Sequence, residues 1–154
     1  MTKKDLVESI KQNMPDGLTQ LEKARYIYIE LGKQRRFDVR FYYGNSETRK
    51  RIKRLAMQAK HNPEMYRNQK SIVCISISYL YQSILKDYGI KCEVTSEDEY
   101  SSGHIMPILY LEDEKRGRMK IKADLQRDIS WIQAGMITDN FGDKEFPFDD
   151  FTEL

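Results

Sequence analysis

The segment Ser71–Gly89 restricts the fold more than any other, because its second half has the pattern of a helix buried on one face. Apolar residues recur there at helical spacing, at Ile77, Leu80, Tyr81, Ile84, Leu85 and Tyr88. Ser71 is a candidate N-cap, and Gly89 stands where a helix can end in a left-handed residue. The first half also alternates like a strand. The pattern as a whole predicts a helix with Cys74 in its first turn and on its apolar stripe.

Cys74 is the first candidate functional residue because of where this helix would place it. A helix N-terminus offers unpaired N–H groups and the positive end of the helix dipole, and both stabilise a thiolate. We therefore expect the pKa of the Cys74 thiol to be lowered, as it is in cysteine nucleophiles. The competing interpretation is a small core residue, since a cysteine on an apolar helix face is often no more than that.

Helical patterns dominate the chain before this segment. A first helix is predicted over 5–13. A second begins at Thr19, which forms a potential capping box with Glu22, and is predicted to stop at Gly32. The aromatic segment 37–44 that follows is predicted to be extended or looped.

A third helix is predicted over 46–60, and its outer side is strongly basic. The inward residues are predicted to be Ile52, Leu55, Ala56 and Ala59. Five of the six residues 49–54 are Lys or Arg. Such a run is usually a solvated helix face, and no aromatic residue, zinc-finger, homeodomain or RNP pattern accompanies it in the sequence. A nucleic-acid partner is therefore not expected.

Beyond Gly89 the hydrophobic period changes from that of a helix to that of strands. A proline, Pro107, falls within the second of these strands and predicts an edge or a bulge there. The short charged turn after it favours antiparallel pairing with the third strand. The predicted elements are strands over 90–95, 103–111 and 118–124 and a short helix over 128–135. Helices followed by strands predict an α+β fold.

The length of 154 residues suits one domain over 1–154, ending in an acidic tail over 140–154. The tail is rich in aromatic rings, which bury a large area when they pack, so we expect them to dock on the domain. These rings are Phe141, Phe146, Phe148 and Phe151.

Composition and cysteine content place the protein in a broad class. Two cysteines, Cys74 and Cys92, give no disulfide framework and suit a reducing compartment. The N-terminus lacks a long apolar core, so neither a classical signal peptide nor a membrane span is expected. The expected location is the cytoplasm, or the outside after export without such a peptide. A net charge of +2 implies no polyanionic partner by itself, and the oligomeric state is left open.

Metal and nucleotide sites are not predicted. The candidate metal ligands Cys74, Cys92, His61 and His104 show neither the Cys-x-x-Cys nor the His-x₃-His spacing of zinc sites. The glycines form no phosphate-binding motif. We therefore expect neither a metal site nor nucleotide hydrolysis.

Three residues stand at predicted element ends where their side chains would meet. Cys74 begins the helix, His104 begins the second strand and Asp124 ends the third. Because the start of one hairpin strand lies beside the end of the next, His104 and Asp124 would share one edge, against which the helix N-terminus packs. A cysteine nucleophile, a histidine base and a carboxylate that orients the ring are what nucleophilic acyl transfer needs. Asp128 is an alternative orienter, and each residue also has a purely structural interpretation.

These residues resemble the transglutaminase-like branch of the papain-fold cysteine enzymes. The likeness rests on a cysteine at a helix start, the helix end LKDYGIKCEV over 85–94, a Gly-His pair at 103–104 and an Ala-Asp strand end at 123–124. Upstream, LEKARYIY and the pair Phe37-Asp38 are similar to the segment that commonly precedes that core. The likeness covers about residues 18–130, although Ile-Met follows the histidine where the family often has Ala-Trp.

The resemblance implies a papain-like core in which N-terminal helices and the cysteine-bearing helix pack on a small antiparallel sheet. It implies a catalytic triad of Cys74, His104 and Asp124, thiol chemistry without a cofactor, and a protein or peptide substrate. Papain-like enzymes place a glutamine that stabilises the oxyanion shortly before the nucleophile, so Asn68 and Gln69 are candidates for that role. Protease, glutamine deamidase and transglutaminase activities stay open. The alternative is a non-catalytic protein-binding domain on the same fold.

Overall fold

The computed structural model is an α+β fold in which helices pack against an antiparallel sheet, and the predicted fold class is confirmed at that level. It describes residues 5–96, 105–135 and 151–153. The described helices are α1 Leu6–Asn13, α2 Gln20–Gln34, α3 Val39–Tyr43, α4 Ser46–Met57, α5 Cys74–Lys86 and α6 Leu125–Gln133. The described strands are β1 Arg36–Phe37, β2 Ser71–Ile72, β3 Lys91–Ser96, β4 Ile105–Asp113, β5 Gly117–Lys122 and β6 Phe151–Glu153. Two short 3₁₀ helices, Gln58–Lys60 and Pro63–Tyr66, lie between α4 and β2.

The main sheet has the strand order β3-β4-β5-β6 and is antiparallel throughout. The predicted hairpin is formed by β4 and β5, with Asp113 opposite Gly117 beside the turn. α5 packs against β3 and β4, and α2 packs against β4. Leu109 and its partner Ile121 are fully buried in the cluster that joins the sheet to these helices.

Pro107 lies in a central strand and pairs with Val94 without interrupting the register, which corrects the prediction of an edge or a bulge. The strand tolerates the proline because β5 ends at Lys122, opposite Ile108. The missing N–H of Pro107 therefore falls one residue beyond the last pair of this ladder. The N–H of Ala123 still donates to the Pro107 carbonyl at 2.9 Å. The proline therefore costs only the reciprocal hydrogen bond at the end of the ladder.

α5 begins later than predicted because Ser71 belongs to a strand. Ser71 lies in β2, which pairs in parallel with β1. Val73 is the N-cap, and its N–H donates to Ser76 Oγ at 3.1 Å. Cys74 is therefore the first helical residue rather than the third. The strand-like alternation at the start of this segment was a real signal, but a strand of two residues is too short to be predicted from it.

Of the two glycines predicted to stop a helix, one does. Gly89 has a left-handed φ of +72°, and the N–H of Ile90 donates to the Leu85 carbonyl at 3.1 Å, as at a Schellman end. Gly32 lies inside α2, which continues for two more residues. Its missing side chain instead allows α6 to approach, since a Cβ at Gly32 would lie 2.5 Å from Ile132 Cδ1.

The segment 37–44, predicted to be extended or looped, contains the short helix α3. Asp38 is its N-cap and accepts a hydrogen bond from the N–H of Arg40 at 3.2 Å. An aspartate N-cap is a helix-start signal, but the aromatic residues around it favoured a strand. The capping box of Thr19 and Glu22 at the start of α2 is confirmed.

α4 turns a narrower stripe inward than predicted. Ile52 and Ala56 are buried, as is Ala59 in the 3₁₀ helix that follows. Leu55 is exposed, which corrects its predicted inward position. It lies at the edge of the stripe, where it lines a small cavity between α4 and β2.

The end of the chain completes the sheet. β6 pairs with β5, with Phe151 opposite Ile121, so the last part of the tail is docked on the domain. Phe141, Phe146 and Phe148 lie outside the described residues. α6 begins at Leu125, a few residues earlier than predicted. Among the described residues, no helix has both the length and the apolar character needed to cross a bilayer.

Candidate active site

Cys74 occupies the first position of α5 and is buried in a small apolar cluster. Its exposed fraction is 8 %. The buried members of this cluster, which we call the Cys74 cluster, are Ile52, Ala56, Val73, Cys74 and Ile75. Phe41, Tyr79 and Ile105 pack against it while remaining partly exposed. α3, α4, α5 and the start of β4 therefore all contribute residues to the cluster that contains the thiol.

The start of β4 is hydrogen-bonded to the first turns of α5. The backbone N–H of Ile105 is close enough to the Cys74 sulfur to lower the pKa of the thiol. Ser78, one turn along α5, donates from its hydroxyl to the Ile105 carbonyl at 3.4 Å. His104 precedes Ile105 in the sequence and lies outside the described residues.

Asp124 lies at the end of β5 and close enough to Cys74 for its charge to act on the thiol. Ala123 is level with Pro107 through their hydrogen bond of 2.9 Å, so Asp124 lies level with the next residue of β4, Met106. Asp124 as a whole residue is 7 % exposed. The Asp124 backbone carbonyl accepts a hydrogen bond of 3.1 Å from the N–H of Asp128, which lies in the first turn of α6. The structure thus brings Cys74, Ile105 and Asp124 to the same end of the sheet, whereas the predicted position of His104 beside them lies outside the described residues.

Asp128, the alternative orienter, is engaged with a different helix. Its carboxylate accepts a hydrogen bond of 2.5 Å from the hydroxyl of Tyr28 in α2, and both groups are buried. Burial and then the charge of Asp128 raise the pKa of Tyr28 well above its usual value, so the phenol stays protonated and donates. This pair ties α6 to α2 and leaves Asp124 as the carboxylate beside the thiol.

Burial raises the pKa of the Cys74 thiol, which is opposite in direction to the expectation from the helix N-terminus. The N–H groups of Ile105 and Ile75 lower it, but the negative charge of Asp124 raises it further. The reason is that a thiolate buried among aliphatic side chains loses its hydration, and a neighbouring carboxylate repels it. Helix position alone therefore does not activate this cysteine.

The two oxyanion candidates differ in what their side chains contact. The Asn68 amide oxygen accepts a hydrogen bond of 2.8 Å from the N–H of Leu6, so this side chain holds the start of α1. Gln69 is exposed and lines the cavity between α4 and β2, together with Val73 and Ser76 at the start of α5. Gln69 is thus the candidate that shares a cavity with the N-terminus of the cysteine helix.

Cys92 provides a contrasting thiol. It lies in β3, is half-buried, and shares no disulfide with Cys74. Burial, and then the charge of Glu93, raise the pKa of the Cys92 thiol to about 12. A thiol with such a pKa is almost never ionised at neutral pH.

The pair Asp38 and Arg40 next to the cysteine helix was not predicted as a functional feature. The Asp38 carboxylate accepts from Arg40 Nε at 2.9 Å and Nη2 at 2.7 Å, and this hydrogen-bonded guanidinium holds the pKa of Asp38 below its usual value. The Asp38 N–H donates to the Ile72 carbonyl at 2.9 Å, just before α5 begins. The sequence signal was the Phe37-Asp38 pair, which entered only through the family resemblance.

Metal ligands are not gathered anywhere in the part of the chain that the structure describes: no group of three or more His, Cys, Asp or Glu side chains could hold an ion there. Comparison of the chain with models of known protein families, with curated proteins and with solved structures finds no match.

Proposed function

We propose that this protein is a cysteine-dependent acyl-transfer enzyme that acts on a carboxamide or peptide bond of a protein, with Cys74, His104 and Asp124 as its triad. The observation that supports this most directly is the packing of Ile105 against the Cys74 cluster, where the Ile105 N–H acts to lower the pKa of the Cys74 thiol. Ile105 is the residue next to His104, and consecutive Cα atoms are only ~3.8 Å apart.

The position of Asp124 also supports the triad. Its level on the sheet is that of Met106, two residues beyond His104 in β4. A chain spans at most ~3.6 Å per residue, so the Cα of His104 is within about 7 Å of the Cα of Met106 and therefore near the end of the sheet where Asp124 and Cys74 lie. Asp124 would orient the ring and stabilise its charged form.

The proposed reaction has two steps. Cys74 loses its proton to His104, and the sulfur forms a bond to the carbonyl carbon while the carbon–nitrogen bond breaks. The leaving ammonia or amine takes that proton from the imidazolium. Water or a second amine then attacks the thioester and gives an acid or a new amide, and the thiol is restored. Deamidation, proteolysis and cross-linking differ only in the leaving group and in this second nucleophile.

Incubation with glutamine-containing peptides tests the proposal. Mass spectrometry distinguishes conversion of an amide to an acid, cleavage of the peptide and incorporation of an added primary amine. We expect one of these products with the parent chain and none with Cys74→Ser. Turnover that survives in Cys74→Ser, or its absence from a broad peptide pool together with an unreactive Cys74, would refute the proposal.

A non-catalytic protein-binding domain is the second candidate, and the burial of Cys74 favours it. A thiol that is 8 % exposed, with its pKa raised by burial, has the properties of a core residue. The two candidates differ in one distance, because catalysis needs the sulfur within about 4 Å of a ring nitrogen of His104. An experimental structure in which the imidazole points away from Cys74 would leave the binding domain.

A further inference from the structure

α4 presents a basic face that no carboxylate of the described residues pairs with. All five basic side chains are exposed, and they are Arg49, Lys50, Arg51, Lys53 and Arg54. In the described part of the chain, no carboxylate lies within 4.0 Å of any of them. With Glu47 the net charge of α4 is +4, whereas the net charge of the whole chain is +2, so the rest of the chain is slightly acidic.

The spacing of these charges does not serve the stability of the helix. Arg49 and Lys53 are four residues apart, as are Lys50 and Arg54. Like charges at this spacing destabilise a helix, whereas solvated helices usually alternate Glu with Lys. A positive face kept at this cost indicates a negatively charged partner.

The basic face is bordered by grooves on both sides. One groove, of about 360 Å³, is lined by Phe41 and Ser46 together with Arg49, Lys50 and Lys53. The other is lined by Asn45, Glu47, Thr48, Lys50, Arg51 and Arg54. Lys50 belongs to both, so it stands on the ridge between them. The first groove combines an aromatic ring with three cations, and its volume is near the lower end of the ~300–1,000 Å³ that is typical of ligand pockets.

α3 adds apolar groups beside this face. It packs against α4, and it leaves Tyr43 89 % exposed and Val39 61 % exposed. The sequence alone showed no aromatic residue within the basic run, because these residues precede α4 and are brought to it by the turn between the helices. We call the five basic residues with Phe41 and Tyr43 the α3–α4 surface.

We propose that the α3–α4 surface binds an acidic, extended segment of a partner protein, with one of its apolar side chains in the groove beside Phe41. A helix of 12 residues is ~18 Å long, which matches about five extended residues. A nucleic acid fits less well, since domains that bind one usually have a pI above ~9 and several stacking rings, whereas the pI here is 8.4.

The surface is connected to the candidate active site. Ile52 and Ala56 on the inner side of α4 belong to the Cys74 cluster, and Phe41 packs against that cluster while it lines the groove. A segment docked on the outer side of α4 would hold its parent protein beside Cys74. That delivery role rests on the proposed acyl-transfer function, whereas the binding itself does not.

Fluorescence anisotropy with a labelled peptide of glutamates around one phenylalanine tests the proposal. We expect it to bind the full chain, to weaken as NaCl screens the charges, and to bind much more strongly than the same peptide with Gln in place of Glu. Lys50→Glu/Lys53→Glu should weaken binding at least about tenfold. The matched control Lys86→Glu/Arg118→Glu makes the same charge change at exposed sites outside the surface and should change it less than about twofold.

Several results would overturn the proposal. These are equal binding of the Glu and Gln peptides, equal losses in the two double variants, or tighter binding of oligo(dT) or of phosphatidylserine vesicles than of the acidic peptide. Circular dichroism of each variant separates loss of binding from loss of the fold. Cys74→Ser should bind the peptide like the parent, so a failed docking surface and a failed active site give different results.

Discussion

The pH dependence of alkylation at Cys74, with and without His104, distinguishes a catalytic thiol from a core thiol. The described surroundings of Cys74 raise its pKa, through burial first and through Asp124 as well. An imidazolium at His104 would act in the opposite direction. At ~4 Å and an effective dielectric constant of ~20, the attraction is ~4 kcal/mol, or about 3 pKa units. Replacing His104 by alanine should therefore raise the pKa of Cys74 by about that amount.

The expected change in rate is smaller than the change in ionisation. A thiolate becomes more nucleophilic as its pKa rises, with a Brønsted slope of ~0.4–0.5. On a logarithmic scale, this offsets about half of the rate that is lost because less thiolate is present. At a pH below both pKa values, His104→Ala should therefore slow the reaction of Cys74 with iodoacetamide by about 40-fold. Asp124→Ala should lower turnover less completely than His104→Ala, because the carboxylate only orients the ring.

Peptide mass spectrometry after timed labelling measures both cysteines in one sample. Cys92, whose pKa is about 12, has a thiolate fraction of only ~10⁻⁵ at pH 7 and is the slow internal reference. His61→Ala removes the other histidine of the chain, which is exposed, and is the matched control. The triad is refuted if Cys74 reacts no faster than Cys92 in the folded parent, or if its rate is the same in the His104 and His61 variants.

Three further predictions concern packing and charge, and urea unfolding measures each. Gly32→Ala should destabilise the protein by about 1 kcal/mol, because the close contact of the new Cβ with Ile132 Cδ1 outweighs the gain in helix propensity. Ile132→Val removes Cδ1 and should reduce this cost, so an equal effect of Gly32→Ala in the parent and in the Ile132→Val protein would contradict the prediction. Tyr28→Phe should cost about 1.5–3 kcal/mol by removing the donor to Asp128, and unchanged stability would exclude that contact. Lys53→Glu should stabilise by about 1 kcal/mol, less at high salt; a salt-independent change would contradict it.

Local sequence signals predicted the parts of the fold that local forces determine. The capping box of Thr19 and the left-handed end at Gly89 are each complete within a few residues, and both are present. The parallel pairing of β1 with β2 was missed because it joins segments more than thirty residues apart through two residues each. Gly32 was wrongly predicted to end α2, again because the feature that explains it is distant in sequence: the missing side chain makes room for Ile132 of α6.

The candidate site was predictable in its topology but not in its electrostatics. A hairpin following a helix brings the start of β4 and the end of β5 together, and this is enough to place Ile105 and Asp124 near Cys74. The burial of the thiol depends on Ile52 and Ala56, which belong to a different helix. A helix N-terminus is a local feature and visible in the sequence, whereas the desolvation that opposes it is not.

This opposition makes His104 the residue on which the proposed function depends. At the helix start, N–H groups from Ile105 and Ile75 favour the thiolate, yet burial and the Asp124 carboxylate together outweigh them. The side chains that form the Cys74 cluster are apolar, so they supply no compensating charge. A cation beside the sulfur would reverse the balance, and the Asp124 carboxylate would stabilise that cation, whereas it repels an isolated thiolate. The Asp124 carboxylate therefore opposes ionisation of an isolated Cys74 but supports ionisation of Cys74 in a triad. Asp124→Ala in the His104→Ala background should consequently speed alkylation of Cys74 instead of slowing it.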